Sequence, residues 1–279
     1  MAAPMRCRPF SSASKLKRMP VVDLGDITLH YTTHGSGTPL LLIHGGWGLA
    51  VNGFEFQTRT LADEFQLIVP DRCGYGQSTH ALGFEADFHW QHAQDMLRFL
   101  DALKIDRVRV WGHSDGAVIA AIMAVVAPDR IGGFIFEGGH LYCRKPDSDY
   151  PMDKIWLDPT LIPEAAQTRL ADYHGADYWP QVIRNWAGGW VALHDRAGED
   201  LYRGRLSEIT CPSLIIHGAH DEHTFPNEIE ELARRIPHAR LVIYPDRGHS
   251  IHDSRALREA CTQMAREFLR ECKLASAAQ

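Results

Sequence analysis

The chain has 279 residues, 45% of them hydrophobic and 23% charged, with a formal net charge of −6. That balance describes a soluble globular protein with one sizeable core, and the lack of a dense basic run excludes nucleic acid as a main partner. No apolar stretch reaches bilayer-spanning length: the longest, Val118 to Ala127, is far too short, so no membrane partner is expected.

The N-terminal stretch carries Arg6, Arg8, Lys15, Lys17 and Arg18 among serines, with no acidic residue before Asp23. This is the composition of a mitochondrial transit segment. A disordered basic extension has the same composition, and Pro4 and Pro9 would interrupt an amphipathic helix. Residues 1–19 are therefore read as one or the other, with mitochondrion as the expected location and cytoplasm as the alternative, and Met19 would serve as a second start.

Beyond it, strand-like and helix-like segments alternate. Val21 to Leu24 and Ile27 to Tyr31 flank Gly25-Asp26 as an opening hairpin, and Leu40 to Ile43 is an apolar buried strand. Phe54 to Phe65 predicts a helix, Gln66 to Val69 a strand, and Phe88 to Leu103 an amphipathic helix. Val108 to Trp111, the small-residue helix Ala117 to Ala127 and the strand Gly133 to Phe136 follow. After an interruption from about Leu141 to Ile209, the rhythm resumes with Ser213 to Ile216, a helix near Asn227 to Ile236, Arg240 to Tyr244 and a closing helix from Ser254 to about Cys272. Such alternation implies an α/β fold, a mainly parallel sheet with helices on both faces.

The interruption is rich in aromatics, with Trp156, Trp179, Trp186, Trp190, Tyr150, Tyr173 and Tyr178, and helical stretches at Glu164 to Tyr173 and Tyr178 to Trp186. These rings read both as the core of a small helical insertion and as the lining of a lid that keeps water from a site. Trp179 and Trp186 are the candidate substrate contacts among them. The domain reading is thus a core of residues 20–140 and 210–279, with residues 141–209 as a helical cap.

Chemistry concentrates between the strand ending at Trp111 and the helix beginning near Ala117, where Gly112-His113-Ser114-Asp115-Gly116 forms a G-x-S-x-G elbow. Small residues must flank a serine whose backbone is forced from its preferred basin. A serine hydroxyl is a weak nucleophile at neutral pH, so it needs an imidazole to take its proton and a carboxylate to orient that imidazole. Asp221, in the loop after Leu214 to Ile216, and His249, in the loop after Leu241 to Tyr244, fall at the same edge of the sheet as Ser114. Glu222 and Glu137 compete for the acid role and His252 for the base. The developing oxyanion needs preorganised donors. The backbone N–H of Asp115 supplies one, and the loop His44-Gly45-Gly46-Trp47-Gly48 supplies a second from Gly46 or Trp47.

The cysteines lack C-x-x-C spacing and read as reduced thiols. His217, His220 and His223 have metal-like spacing but straddle a strand end, so no metal is expected. No cofactor is implied, because nucleophile, base and oxyanion donors are all protein groups.

On the His44-Gly45-Gly46 loop, Asp71-Arg72-Cys73-Gly74-Tyr75-Gly76-Gln77-Ser78, the elbow, Gly218-Ala219-His220-Asp221 and Gly248-His249, the chain resembles the α/β-hydrolase superfamily. The resemblance implies an eight-stranded sheet, an inserted lid and a triad in the order Ser, acid, His. A closer resemblance is to the valacyclovir hydrolase (biphenyl hydrolase-like) group, on Trp111 to Gly116, Asp177-Tyr178-Trp179, Asn185-Trp186 and Ile209 to Gly218. It departs from that group at the oxyanion loop and at His113. That likeness implies hydrolysis of α-amino acid esters, with Asp115 receiving the substrate's ammonium. Arg72 is an alternative counter-charge for Asp115, and in a third reading Asp115 turns away into a local hydrogen-bond network. The expected function is cleavage of a small carboxylic ester or lactone through an acyl-enzyme on Ser114. The alternatives are carbon–carbon bond hydrolysis on the same scaffold, or a ligand receptor.

Overall fold

A computed structural model describes residues 20–49, 53–145, 152–194, 196 and 199–272. The basic segment 1–19, expected as a transit segment or extension, lies outside the described residues. The strands are β1 (Val21–Asp23), β2 (Thr28–His34), β3 (Thr38–Ile43), β4 (Phe65–Pro70), β5 (Val108–His113), β6 (Ile131–Glu137), β7 (Ser213–Gly218) and β8 (Arg240–Tyr244). They form one eight-stranded sheet in the order β1-β2-β4-β3-β5-β6-β7-β8. The β1/β2 and β2/β4 pairings are antiparallel and the others parallel, as the alternation of strands and helices predicts.

The described helices are α1 (Glu55–Thr60), α2 (Phe88–Ala102), α3 (Asp115–Val126), α4 (Met152–Leu157), α5 (Glu164–His174), α6 (Trp179–His194), α7 (Glu228–Arg235) and α8 (Arg258–Glu271). Strand side chains alternate between faces, so each apolar strand feeds two cores. Leu41, Ile43, Val110, Phe134 and Phe136 join one cluster with Met96 and Phe99 of α2 and Val118 and Ile122 of α3. Leu40, Leu42, Trp111, Ile135 and Leu214 join the other, with Cys261, Ala265 and Phe268 of α8. Helix α3 is apolar all round and buried from Asp115 to Val125, which anchors its N-terminus rigidly under the site.

The expected helix from Phe54 to Phe65 is shorter than its pattern suggested, because the chain turns at Leu61 to Glu64 and Phe65 already pairs in the sheet. Conversely, the lid helix expected to end at Trp186 runs on to His194, since Trp186, Trp190 and Leu193 keep one apolar face buried through two more turns. Helices α5 and α6 pack over the carboxyl ends of the strands. Tyr173 donates to Asp71 Oδ1 (2.7 Å), the His174 ring meets the Trp47 carbonyl (2.9 Å), and Trp186 sits against Gly46.

Candidate active site

The turn from β5 into α3 places Ser114 at φ 56°, ψ −124°. A non-glycine residue held there carries a strain of about 1–3 kcal/mol that the surrounding structure must override. The overriding contacts are visible. A Cβ on Gly112 would lie 2.1 Å from the Gly116 carbonyl oxygen, and one on Gly116 2.1 Å from that of Ile43. Only glycines allow this crossing of strand and helix. The Ser114 N–H donates to the Glu137 carbonyl at 2.8 Å, which ties the turn to β6.

Asp221 and His249 emerge from the ends of β7 and β8 and meet: His249 Nδ1 lies 2.8 Å from Asp221 Oδ2. An ionised carboxylate only accepts, so Nδ1 carries the proton and Nε2 is left as the basic nitrogen. The Asp221 backbone turn is closed by the His223 N–H on Oδ1 at 3.0 Å. Burial alone would raise the Asp221 pKa, but the His249 hydrogen bond and charge outweigh it and hold the carboxyl well below its usual range. Ser114 and His249 line a single cavity of about 270 Å³ together with Gly46, Trp47, His113, Lys145, Trp186, His223 and His252.

Among the described residues, the competing acids make no hydrogen bond to His249, and the competing base His252, though it lines the same cavity, is held by one of them. Glu222 is exposed. Glu137 and His252 pair with each other, Nδ1 to Oε1 at 2.9 Å, leaving Asp221 to His249. His113, directly before the nucleophile, is pushed by burial to a pKa of about 3 and so is neutral, its Nε2 3.1 Å from the Ser250 hydroxyl.

The loop expected to supply an oxyanion donor follows β3. Gly45 packs on Ser114, since a Cβ there would come 2.9 Å from Ser114 Cβ; at Gly46 a Cβ would lie 1.9 Å from Trp186 Nε1. Gly46 and Trp47 both reach the cavity wall. Asp115 is the first residue of α3, so its N–H has no acceptor within the helix. Beneath the loop lies the buried Arg72, donating to the Gly45 carbonyl (2.8 Å) and lying 2.8 Å from His92 Nδ1. Burial and the Arg72 charge hold His92 neutral, its pKa well below the usual value, so its ring can accept that bond.

Of the expected substrate contacts, the structure places Asp115 and Trp179 off the cavity wall. Asp115 is wholly buried and off the cavity wall, its Oδ1 3.1 Å from His89 Nε2 and 3.2 Å from Trp190 Nε1. The first turn of α3 directs that side chain under α6, where Trp190 donates to it. Arg72, the alternative counter-charge, bonds to the Gly45 carbonyl instead. Burial would raise the Asp115 pKa, but the His89 hydrogen bond and the fields of Lys145 and Arg72 hold it ionised, well below the usual range. Trp179 is buried in the apolar cluster that also includes residues of α2 and α3. Trp186 does line the cavity.

Among the described residues, His217, His220 and His223 do not converge as a set. Ligand atoms come within 4.8 Å of one another in His113/Glu137/His252 and in Asp221/His223/His249, and in each set the carboxylate already holds an imidazole. Sequence reasoning missed Lys145, which reaches the cavity from the loop after β6; nothing in its spacing marks it, because the loop's path decides where its ammonium points.

The family model described as the alpha/beta hydrolase fold matches residues 38–163 and 156–256. The human serine hydrolase BPHL is 27% identical over 234 residues, 83% of this chain and 80% of that protein. This agrees with the resemblance to the biphenyl hydrolase-like group. An (E)-2-((N-methylformamido)methylene)succinate hydrolase of Acinetobacter baylyi is 25% identical over 245 residues, 81% of this chain and 88% of that one. Among solved structures, the enol-lactonase of Burkholderia xenovorans LB400 superposes with a TM-score of 0.71 at 24% identity, covering 90% of this chain and 100% of that one. With strand order, elbow and matched residues in agreement, the chain belongs to the α/β-hydrolase fold family.

Proposed function

We propose that this protein hydrolyses a small carboxylic ester or lactone through an acyl-enzyme on Ser114, with His249 as general base and Asp221 as the carboxylate that orients it. The observation that carries the reading is the 2.8 Å bond from His249 Nδ1 to the buried Asp221, with His249 on the wall of the cavity that also holds the strained Ser114. His249 Nε2 takes the hydroxyl proton as Ser114 Oγ bonds to the substrate carbonyl carbon. The oxyanion is met by the N–H groups of Asp115 and of Gly46 or Trp47. Collapse breaks the carbon–oxygen bond, and the leaving alcohol takes the proton from His249. Water then attacks the acyl-enzyme, losing a proton to His249, and the acid departs as the Ser114 hydroxyl is restored.

An amino acid ester is the less supported member of this class, because the carboxylate that would greet its ammonium is off the cavity wall while a lysine is on it. The test is turnover of 4-nitrophenyl acetate by wild type and Ser114→Ala. Removing the serine of such a triad lowers kcat by about 10⁶-fold. Turnover that survives in the variant refutes the assignment, and ligand binding by wild type without turnover points to a receptor on this scaffold.

A further inference from the structure

Among the described lining residues, Lys145 is a half-buried cation with no carboxylate paired to it. Of the other charged lining residues, Arg169 and Asp253 are exposed, and the charge of the His252 imidazolium is balanced by the Glu137 carboxylate 2.9 Å away. Lys145 Nζ lies 3.0 Å from His140 Nε2 and 4.2 Å from the centroid of the Trp190 ring. An ammonium has three donors, and these contacts use one of them and one face. Among the described residues no carboxylate lies within ion-pair distance of it. Asp115, the acid whose field most favours its charge, is engaged by His89 and Trp190. Burial therefore works against the ammonium, pulling its pKa below the usual lysine value. A partly buried cation without a contacting anion is unfavourable, and a bound anionic oxygen would relieve it.

We propose that Lys145 forms an anion subsite facing the nucleophile, and that the substrate is an ester or lactone bearing a free carboxylate. This rests on the ester-hydrolase reading above and deepens it by naming the substrate class. The cavity, about 270 Å³, has room for a short chain between the scissile carbonyl and the charged end. Geometry leaves two positions for the carboxylate, on the acyl part or on the leaving group.

The experiment separates the subsite from the chemistry by using the inert Ser114→Ala protein. Calorimetry measures Kd for 4-nitrophenyl hydrogen adipate and its neutral partner 4-nitrophenyl hexanoate, carrying or lacking an acyl carboxylate. A second pair, 4-carboxyphenyl butyrate and phenyl butyrate, does the same for the leaving group. One acid-bearing ligand should bind about 10-fold or more tighter than its partner, as a charge-assisted hydrogen bond of about 1.5–3 kcal/mol requires. Adding Lys145→Met should erase that preference, and Lys145→Arg should restore part of it, with melting curves confirming that the variants fold. Equal binding within both pairs, or a preference that survives Lys145→Met, overturns the subsite. Neutral-ester turnover that is insensitive to Ser114→Ala would overturn the underlying hydrolase reading instead.

Discussion

Glu137 and His252 form a second acid–imidazole pair in addition to Asp221 and His249, and Glu137 holds both halves of the site. Its Oε1 accepts from the backbone N–H groups of Ile251 and His252, each at 2.9 Å, and its Oε2 from Trp111 Nε1 at 3.0 Å. One side chain thus fastens the His249 loop to the strand that carries the nucleophile. His252 Nε2 lies 3.0 Å from the Gly53 carbonyl, so with both nitrogens facing acceptors the ring is an imidazolium. Burial opposes that charge, but Glu137 raises the His252 pKa. Burial likewise would raise Glu137, but the His252 charge and hydrogen bond bring it down to about 2.

Glu137→Gln should therefore lower stability by about 3 kcal/mol, the effect of leaving one member of a buried pair alone, or about 6–12 °C in Tm. The gap has a pH window. A depressed acid contributes fully above its unfolded pKa and loses that contribution as pH falls toward about 2. A raised histidine contributes fully below its unfolded value and loses it as pH climbs through the folded one. The difference in Tm between wild type and variant should be widest between about pH 4.5 and 6.5 and narrow on either side. A gap independent of pH would show that the charges contribute nothing.

Asp221→Asn should reduce kcat/KM by about 10⁴-fold, because an amide can leave His249 in the wrong tautomer while keeping its position. Steady-state kinetics on 4-nitrophenyl acetate reads this directly. A loss below about tenfold would mean that another carboxylate serves His249.

At Gly46 an added methyl would meet Trp186 Nε1 at 1.9 Å, so either the oxyanion loop or the lid helix must shift. Gly46→Ala should lower kcat by about 10²-fold or more, the loss of one oxyanion donor, and destabilise by about 1–3 kcal/mol through overpacking. Combined with Trp186→Ala, itself destabilising because that ring is buried, the total loss should be smaller than the sum of the two single losses. Additive losses in the double variant would place the strain elsewhere.

Asp115→Asn tests the side chain that follows the nucleophile. With Oδ1 still able to accept from His89 and Trp190, the variant should fold and melt within a few degrees of wild type. The ratio of kcat/KM for a valine ester to that for the matching isovalerate ester should stay unchanged. A fall in that ratio would place Asp115 against a substrate ammonium after all.

The chain's alternation of apolar strands and helices determined the architecture by itself, because a period of two on strands such as Leu40 to Ile43 demands a covering layer on each face. Likewise local were the elbow and the loops bearing Asp221 and His249, since strand ends and small-residue turns are short-range features. Only the tertiary structure decided which acid serves which imidazole. Asp221 with His249 and Glu137 with His252 are both acid–histidine pairs on paper, and strand order and loop path assign them. The same holds for Asp115, whose neighbour is the nucleophile but whose carboxylate turns under α6, and for Lys145, whose ammonium reaches the cavity through the path of a loop. Side-chain direction depends on packing between elements distant in sequence, and residue type and spacing carry no record of it.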